Sequence, residues 1–236
     1  MAGLSTPIAV SFVTWNRADR LGRVLDAWSR VRGIGDAVLE FHCEPGCDEV
    51  TALCEAVDFA ERKVFVNPSR LGHALNVQKS MDSAFRVTDY AIQACDDFVP
   101  AADLLELHAW HRARYADDPT VLALTAGRDV PAEGGLAAVW RCQLIGALSG
   151  FRRDKWQLLS GRWAEGADNW WWWVDRHWCQ EGGWDVLFPA LSRVWAIAEE
   201  PEPSFADDIP PQEYFEVQGK RERADGFQRY VEEVPA

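Results

Sequence analysis

The strongest constraint on the fold is a fourfold alternation of strand and helix patterns across roughly the first hundred residues. Runs rich in β-branched and aromatic residues predict buried strands at 8–13, 37–43, 63–66 and 90–94. Between these runs, apolar residues recur at the spacing of amphipathic helices. Such alternation is typical of an α/β fold in which helices flank a doubly wound, mostly parallel sheet.

The second half of the chain has a less regular pattern. Helices are predicted at 101–115, 153–159 and 169–179, and short strands at 121–125, 139–144, 186–188 and 193–197. From Glu199 onward the chain is acidic and contains prolines, which predicts an irregular arm or lid with a short helix near 227–231. We therefore expect one domain over 1–200 and an acidic, proline-containing arm over 201–236.

The composition argues against several classes of protein. A formal net charge of −13 repels polyanions and argues against a general nucleic-acid-binding protein. It does not exclude contact with a nucleic acid through a local basic patch at 152–155. No apolar stretch reaches the roughly 20 residues of a membrane-spanning helix. The amino terminus lacks the basic end and apolar core of a signal peptide, so we expect a cytoplasmic protein with reduced cysteines. The histidine and three cysteines within 42–54 match no standard zinc motif.

Polar residues follow three of the predicted strands. Asn16 and Arg17 come after the first strand, and Glu44 comes after the second. Asp96 and Asp97 come directly after the fourth. Because ligands of open α/β sheets bind beyond the carboxyl ends of the strands, we expect these side chains to line one crevice.

The adjacent carboxylates of Asp96 and Asp97 predict a metal site. In a partly buried cleft two such carboxylates repel each other unless a cation relieves the repulsion. Mg²⁺ or Mn²⁺ prefers oxygen ligands and commonly completes its coordination shell with water and phosphate oxygens. The ion would neutralise charge that develops on a departing diphosphate. The alternative is a solvated acidic turn that caps the following helix.

Three segments carry a resemblance to a known family. Residues 14–17, TWNR, follow the first strand, and residues 94–103, ACDDFVPAAD, are similar to a Glu-Asp-Asp-x-x-x-x-Pro-Asp-Phe stretch. Residues 183–194, GWDVLFPALSRV, look like a strand–proline–strand segment after an acceptor-site helix. In this order the segments resemble the GT-A-fold glycosyltransferases, specifically the inverting enzymes of the family 2 and N-acetylglucosaminyltransferase I types. The resemblance covers about residues 7–200.

The resemblance implies a nucleotide-binding half over 7–100 and an acceptor half over 101–200. It assigns the donor nucleotide to Asn16, Arg17, Glu44, Asn76 and Asp96. Within that set Glu44 would lie near the base, and Asp96 would lie against the ribose. His73 or Lys79 could replace Asn76 beside the nucleotide.

The resemblance also implies the metal and the donor. Asp97 would bind Mn²⁺ or Mg²⁺ directly, while Asp96 would contact the water shell of the ion. The donor would be a nucleotide-sugar, and a UDP-sugar carrying N-acetylglucosamine or glucose is favoured over the others. The activity would be that of an inverting hexosyl- or N-acetylhexosaminyltransferase.

An inverting enzyme needs a general base in its acceptor half. This carboxylate takes the proton of the acceptor hydroxyl as that hydroxyl attacks the anomeric carbon. Asp168, at the start of the helix predicted at 169–179, is the first choice on the resemblance. Asp175 lies two helical turns further on a similar face and is the competitor. Asp168 could equally be only the N-cap of that helix.

Two departures from the family pattern affect the acceptor side. Cys95 stands where a glutamate commonly opens the acidic triplet, and four consecutive tryptophans at 170–173 replace part of the stretch that carries the base. Four successive helical residues cover all sides of a helix, so at least one of these tryptophans must be exposed or line a pocket.

His108 and His111 share one helix face, which indicates solvent-facing side chains.

Two other functions are open on the sequence. A nucleotidyltransferase also uses paired aspartates, but it usually has a glycine-rich loop after the first strand, and residues 14–20 contain no glycine. A non-catalytic nucleotide-sugar-binding module would show degraded catalytic positions, and Cys95 is a faint sign of this. The acceptor could be a glycan, a protein side chain, a metabolite or a modified nucleobase, and the net charge disfavours the last.

Overall fold

A nine-stranded mixed sheet forms the centre of the computed structural model, which describes residues 6–127, 138–142, 147–163, 170–189, 192–197 and 223–226. In chain order the strands are β1 (Ala9–Thr14), β2 (Val38–Cys43), β3 (Glu61–Val66), β4 (Tyr90–Cys95), β5 (Phe98–Pro100), β6 (Val121–Gly127), β7 (Ala138–Cys142), β8 (Ala147–Arg152), β9 (Asp185–Pro189), β10 (Val194–Ala196) and β11 (Arg223–Gly226). β5 and β10 form a separate antiparallel pair, and the other strands belong to the main sheet.

The main sheet has the order β11-β7-β9-β6-β8-β4-β1-β2-β3. β1 pairs parallel with both β2 and β4, β2 pairs parallel with β3, and β6 pairs parallel with β9. β8 lies antiparallel between β4 and β6, and β7 lies antiparallel to both of its neighbours. Seven of the nine strands in the described residues therefore point the same way. The predicted α/β fold with a mostly parallel sheet is confirmed.

Helices cover both faces of the sheet. They are α1 (Ala18–Trp28), α2 (Asp48–Ala56), α3 (His73–Ala84), α4 (Leu104–Arg114), α5 (Arg153–Ser160) and α6 (Trp170–Val174). A π-helical segment, Asp175–Gln180, continues α6, and a short 3₁₀ turn at Ile34–Asp36 precedes β2. The helix predicted at 169–179 therefore exists, but its second half is wound more widely than an α-helix.

Alternation along β1 separates two hydrophobic cores. Val10 and Phe12 pack on one face with apolar residues of α1 and α2, and Ala9 and Val13 pack on the other with α3, α5 and α6. Every residue of β1, β2 and β4 is buried, as expected for central parallel strands covered on both faces. β3 is partly exposed because it lies at the edge.

Two sequence predictions about the second half need correction. The strand β8 was not predicted, although it joins the two parts of the sheet. His108 and His111 were predicted to face solvent, and both are buried. Their ring nitrogens contact the Tyr90 hydroxyl, so α4 turns this polar face toward the sheet.

The predicted arm over 201–236 lies mostly outside the described residues, including the helix expected near 227–231. Four of its residues form β11, which pairs antiparallel with β7. Within the described part of the chain, no helix has the length and apolar character needed to cross a membrane.

Candidate active site

A cavity of about 380 Å³ opens where β1, β2 and β4 end. Its lining residues are Val13, Thr14, Trp15, Asn16, Arg17, Glu44, Arg70, Gly72, His73, Asn76, Cys95 and Asp96. The parallel register of these three strands brings their carboxyl ends to one edge of the sheet. The structure therefore brings Asn16, Arg17, Glu44, Asn76 and Asp96 together in one cavity.

Arg17 bridges the two adjacent aspartates. Its Nε donates a hydrogen bond to Asp96 Oδ2 at 3.2 Å, and its Nη2 donates to Asp96 Oδ1. Its Nη1 lies 3.2 Å from Asp97 Oδ2. The side chain of Asp96 is 3% exposed, whereas that of Asp97 is 26% exposed. Asp96 is thus held by a forked guanidinium contact, while Asp97 keeps access to solvent.

Burial and the charge of Arg17 shift the pKa of the Asp96 carboxyl in opposite directions. Burial raises the pKa of its carboxyl, and the charge of Arg17 offsets part of that rise. Burial of Arg17 alone would lower its pKa, but the charges of Asp96 and Asp97 leave that pKa raised. Arg17 therefore stays a cation, and it stabilises the ionised form of a carboxylate that is otherwise costly to bury.

Cys95 and His73 lie beside Asp97 as neutral groups. The Cys95 thiol donates to Asp97 Oδ1 at 2.9 Å, and burial followed by the charge of Asp97 raises the pKa of that thiol well above its ordinary value. Burial lowers the pKa of His73, although the charge of Asp97 opposes this. Trp170 Nε1 donates to His73 Nε2 at 3.2 Å, so the neutral ring carries its proton on Nδ1.

Glu44 fixes the loop that enters α3. Its carboxylate accepts hydrogen bonds from the backbone N–H of Leu71 at 2.9 and 3.1 Å and from that of Gly72 at 2.9 Å. Gly72 has a φ of +80°, which glycine adopts at little cost. Glu44 therefore lines the cavity and also positions its opposite wall.

Asn76 belongs to a buried amide network. Its Nδ2 donates to the backbone carbonyl of His42 at 3.0 Å, and its Oδ1 accepts from Asn67 Nδ2 at 3.0 Å. Lys79 Nζ donates to Asn67 Oδ1 at 2.7 Å, which places this lysine behind Asn67. The network ties the start of α3 to the end of β2.

Sequence reasoning missed the pairing of Trp15 with Arg70. The guanidinium carbon of Arg70 lies 3.6 Å from the centre of the Trp15 ring, and both side chains are exposed at the cavity. A cation this close to an aromatic face is stabilised by the ring quadrupole. One sequence feature could have indicated that Trp15 lines the cavity: it lies at a strand's carboxyl end, directly before Asn16, which was predicted to bind the nucleotide.

The two candidate general bases are placed differently. Asp168 lies outside the described residues. Asp175 is the first residue of the π-helical segment and is 1% exposed. It does not belong to the described residues that line the cavity.

A divalent ion fits this site through Asp97. Asp97 is the more exposed carboxylate, and in the described residues its oxygens contact the neutral thiol of Cys95 and the guanidinium of Arg17. Asp96, Asp97 and Arg17 together carry one net negative charge. Mg²⁺ and Mn²⁺ sites often use one or two carboxylates and complete the shell with phosphate and water, so a larger protein cluster is not required. In the described residues no group of three or more His, Cys, Asp or Glu side chains is arranged to hold a metal, the 42–54 segment included.

Comparisons by sequence gave no relatives: no protein-family model and no curated protein matches this chain. Solved structures do resemble it. Residues 1–349 of S. aureus TarS in complex with UDP-GlcNAc match with a TM-score of 0.63 and 11% identity, over 83% of this chain and 60% of that one. The mannosyltransferase PcManGT from Pyrobaculum calidifontis, in complex with GDP-Man and Mn²⁺, matches with a TM-score of 0.52 and 18% identity, over 81% and 59%. This chain thus spans about 60% of the length of these two proteins, and it shares their fold.

Proposed function

We propose that this chain is a nucleotide-sugar-dependent glycosyltransferase whose donor lies in the cavity at the ends of β1, β2 and β4. The observation that carries the proposal is the contact of Arg17 with both Asp96 and Asp97 at this edge of the sheet. Ligands of open α/β sheets bind at this edge. The fold shared with TarS, solved with UDP-GlcNAc, and with the mannosyltransferase PcManGT, solved with GDP-Man, supports the same conclusion.

The donor we favour is a UDP-sugar carrying a hexose or N-acetylhexosamine. TarS was solved with UDP-GlcNAc and PcManGT with GDP-Man, so both nucleotides belong in the test. Trp15 offers an aromatic face for a base, and Arg70 adds a cation to a chain whose net charge is −13. Glu44 and Asn76 would bind the nucleoside while holding the loop and the start of α3 in place.

In the proposed mechanism Asp97 would hold the metal and Arg17 would orient the acidic pair. A bound Mn²⁺ or Mg²⁺ would neutralise the charge that develops on the leaving nucleoside diphosphate. A carboxylate base accepts the proton of the acceptor hydroxyl, whose oxygen attacks the anomeric carbon with inversion. We propose Asp168 for this base, with Asp175 as the alternative. Cys95 and His73 are neutral, so they add no charge to this part of the site.

Calorimetric titration with UDP and with GDP, each with and without Mn²⁺, tests the donor site. Wild type should bind one of them more tightly with Mn²⁺, and Asp97→Asn should abolish that metal dependence. Arg17→Met should weaken nucleotide binding by about tenfold or more, because it removes the guanidinium that holds both aspartates in place. Asp117→Asn is the matched control, since it removes an exposed carboxylate in the loop after α4. Equal binding by all variants, or no binding at all, would contradict the proposal.

A non-catalytic nucleotide-sugar-binding module is the second candidate. The observation that favours it is the burial of Asp175 away from the described lining of the cavity, together with Cys95 at the start of the acidic turn. Release of UDP from UDP-GlcNAc, or of GDP from GDP-Man, separates the two. Nucleotide binding that depends on Asp97 but gives no release above the Asp97→Asn background would favour the module.

A further inference from the structure

A second cavity, of about 490 Å³, lies apart from the active site. Six side chains surround it: Trp173, Trp178, Trp184, Arg162, His177 and Glu181. It shares no lining residue with the cavity at the ends of β1, β2 and β4 in the described part of the chain. Nothing in the proposed reaction uses these side chains, so the cavity needs its own explanation.

This second cavity lies at the amino-terminal edge of the sheet. Trp184 directly precedes β9, which points in the same direction as β1 and β4. The neighbouring N–H of Asp185 donates to the carbonyl of Thr120, just before β6 begins. The active-site cavity lies beyond the carboxyl ends of the strands, so the two cavities are on opposite edges of the sheet.

The helix α6 and its π-helical continuation connect the two edges. Trp170 donates to His73, which lines the active site. Trp178, eight residues later, lines the second cavity. Because the second part of this segment is π-helical and rises less per residue, the α-helical rise of 1.5 Å sets an upper limit of about 12 Å for the length of helix between the two residues.

The walls of the second cavity combine aromatic rings with charged groups. Trp178 and Trp184 meet edge to face with ring centres 6.3 Å apart, and Trp173 lies 5.5 Å from the ring of His177. All three tryptophans are partly exposed. His177 Nδ1 lies 2.9 Å from a carboxylate oxygen of Glu181. The cavity therefore places partly exposed indole rings beside hydrogen-bonding groups.

This combination matches a sugar ring better than other small ligands. A pyranose has apolar C–H faces that pack on indole rings and a rim of hydroxyls that both donate and accept hydrogen bonds. A purely apolar ligand would strip water from Arg162 and Glu181 without replacing their hydrogen bonds.

A cationic ligand is disfavoured because protein cations already lie on two of the rings. Arg162 lies 5.8 Å from the centre of the Trp178 ring, and Lys155 Nζ lies 4.5 Å from that of Trp184. A quaternary ammonium would compete with these groups for the same aromatic faces and would be repelled by them.

We propose that the second cavity is a saccharide-binding site that takes a neutral sugar unit of a glycan chain. The further step, that the bound chain is the acceptor and extends along α6 toward the active site, rests on the proposed glycosyltransferase function. The acceptor is then an oligosaccharide or polysaccharide, and the second cavity holds a unit remote from the reacting hydroxyl.

The test follows the indole N–H resonances of the 13 tryptophans in the ¹⁵N-labelled 236-residue chain. The probes are cellohexaose, chitohexaose, maltohexaose and xylohexaose, with tetramethylammonium as the cationic competitor. At least one oligosaccharide should shift the signals assigned to Trp173, Trp178 and Trp184 by their substitution. Trp178→Ala should weaken that binding by about tenfold or more.

Two further variants keep the result interpretable. Arg162→Ala removes an exposed rim residue and should weaken sugar binding by about threefold or more without disturbing the core. Trp172→Ala is the matched control, because Trp172 is on the same helix and 63% exposed but does not belong to the described cavity lining. It should bind the oligosaccharide as wild type does.

Several outcomes would overturn the proposal. These are an absence of shifts with all four oligosaccharides, equal weakening by Trp172→Ala and Trp178→Ala, or a response to tetramethylammonium in place of the sugars. The nucleotide titrations are independent of this result. Sugar binding that persists in Asp97→Asn, in a protein that binds no nucleotide, would keep the saccharide site and remove only its role for an acceptor.

Discussion

The two halves of the sheet are built by different kinds of contact. In the first half, β1 to β4 are parallel, and helices connect consecutive strands. In the second half, β8 runs antiparallel between β4 and β6, and β7 runs antiparallel to β9. The first half repeats one local unit, whereas the second depends on strands that fit between partners distant in the sequence.

Two glycines illustrate this difference. A Cβ placed on Gly22, in the middle of α1, would have no heavy atom within 4 Å. A Cβ on Gly150, in β8, would collide with Tyr90 Oη and His108 Nδ1. We therefore expect the first half to tolerate an added methyl group at Gly22, whereas the second half requires glycine at position 150, where β8 passes over α4.

The buried cluster beneath Gly150 explains this tight fit. The Tyr90 hydroxyl lies 2.9 Å from His108 Nδ1 and 2.7 Å from His111 Nδ1, and all three side chains are buried. The hydroxyl has one proton, so it donates to one ring and accepts from the other. Each side chain in the cluster thus depends on the orientation of the other two.

At neutral pH the largest effect of a single substitution should come from Gly150→Ala. The added methyl group must displace Tyr90 or His108, so we expect the free energy of unfolding to fall by about 1–3 kcal/mol. Urea unfolding followed by tryptophan fluorescence measures this change. A midpoint equal to that of wild type would show that β8 shifts freely, and the contrast between the two halves would then be lost.

The second prediction concerns the pH dependence of the same cluster. Burial lowers the pKa of His108 to about 3 and lowers that of His111 well below its ordinary value. In the unfolded chain both titrate near about 6.5, so the unfolded state takes up protons first as the pH falls. The contribution of the two neutral histidines to stability is fully present above the pKa that they have in the unfolded chain. Below that pKa we expect the free energy of unfolding to fall by an amount that approaches about 1.4 kcal/mol per pH unit for each histidine.

Replacing one histidine should reduce this slope. His111→Asn keeps a polar atom near the Tyr90 hydroxyl but cannot take up a proton in this range, so its stability should fall less steeply between about pH 7 and pH 5. Urea unfolding at both values measures the difference. His177→Asn is the matched control, because its imidazole is exposed at the second cavity. Parallel pH profiles for wild type and His111→Asn would contradict the expected burial of neutral imidazole.

The same contrast explains what could be predicted from the sequence. The strand and helix pattern of the first half is local, so β1, β2 and β4 and the residues at their ends could be predicted from the sequence. The convergence of Arg17, Glu44 and Asp96 follows from the parallel arrangement alone.

Three features depend on partners that no local pattern reveals. The strand β8, with the sequence ALSGFR, contains a glycine and a serine and lacks a clear period, and its strand geometry comes from pairing with β4 and β6. His108 and His111 have the spacing of solvent-facing residues, but Tyr90 supplies their buried partner from another element. Arg70 reaches Trp15 across 55 residues of chain, a contact that the loop sequence does not indicate.

The smallest predicted effect is a gain in stability from Gly22→Ala. Gly22 is within α1, its added Cβ meets open space, and its backbone is helical, so alanine fits without displacing a neighbour. Alanine also restricts the unfolded chain and favours the helix, so the free energy of unfolding should rise by about 0.5–1 kcal/mol. The same urea titration used for Gly150→Ala measures it. A loss of stability in both variants would mean that α1 packs as tightly as β8, and the two halves would then differ in strand direction only.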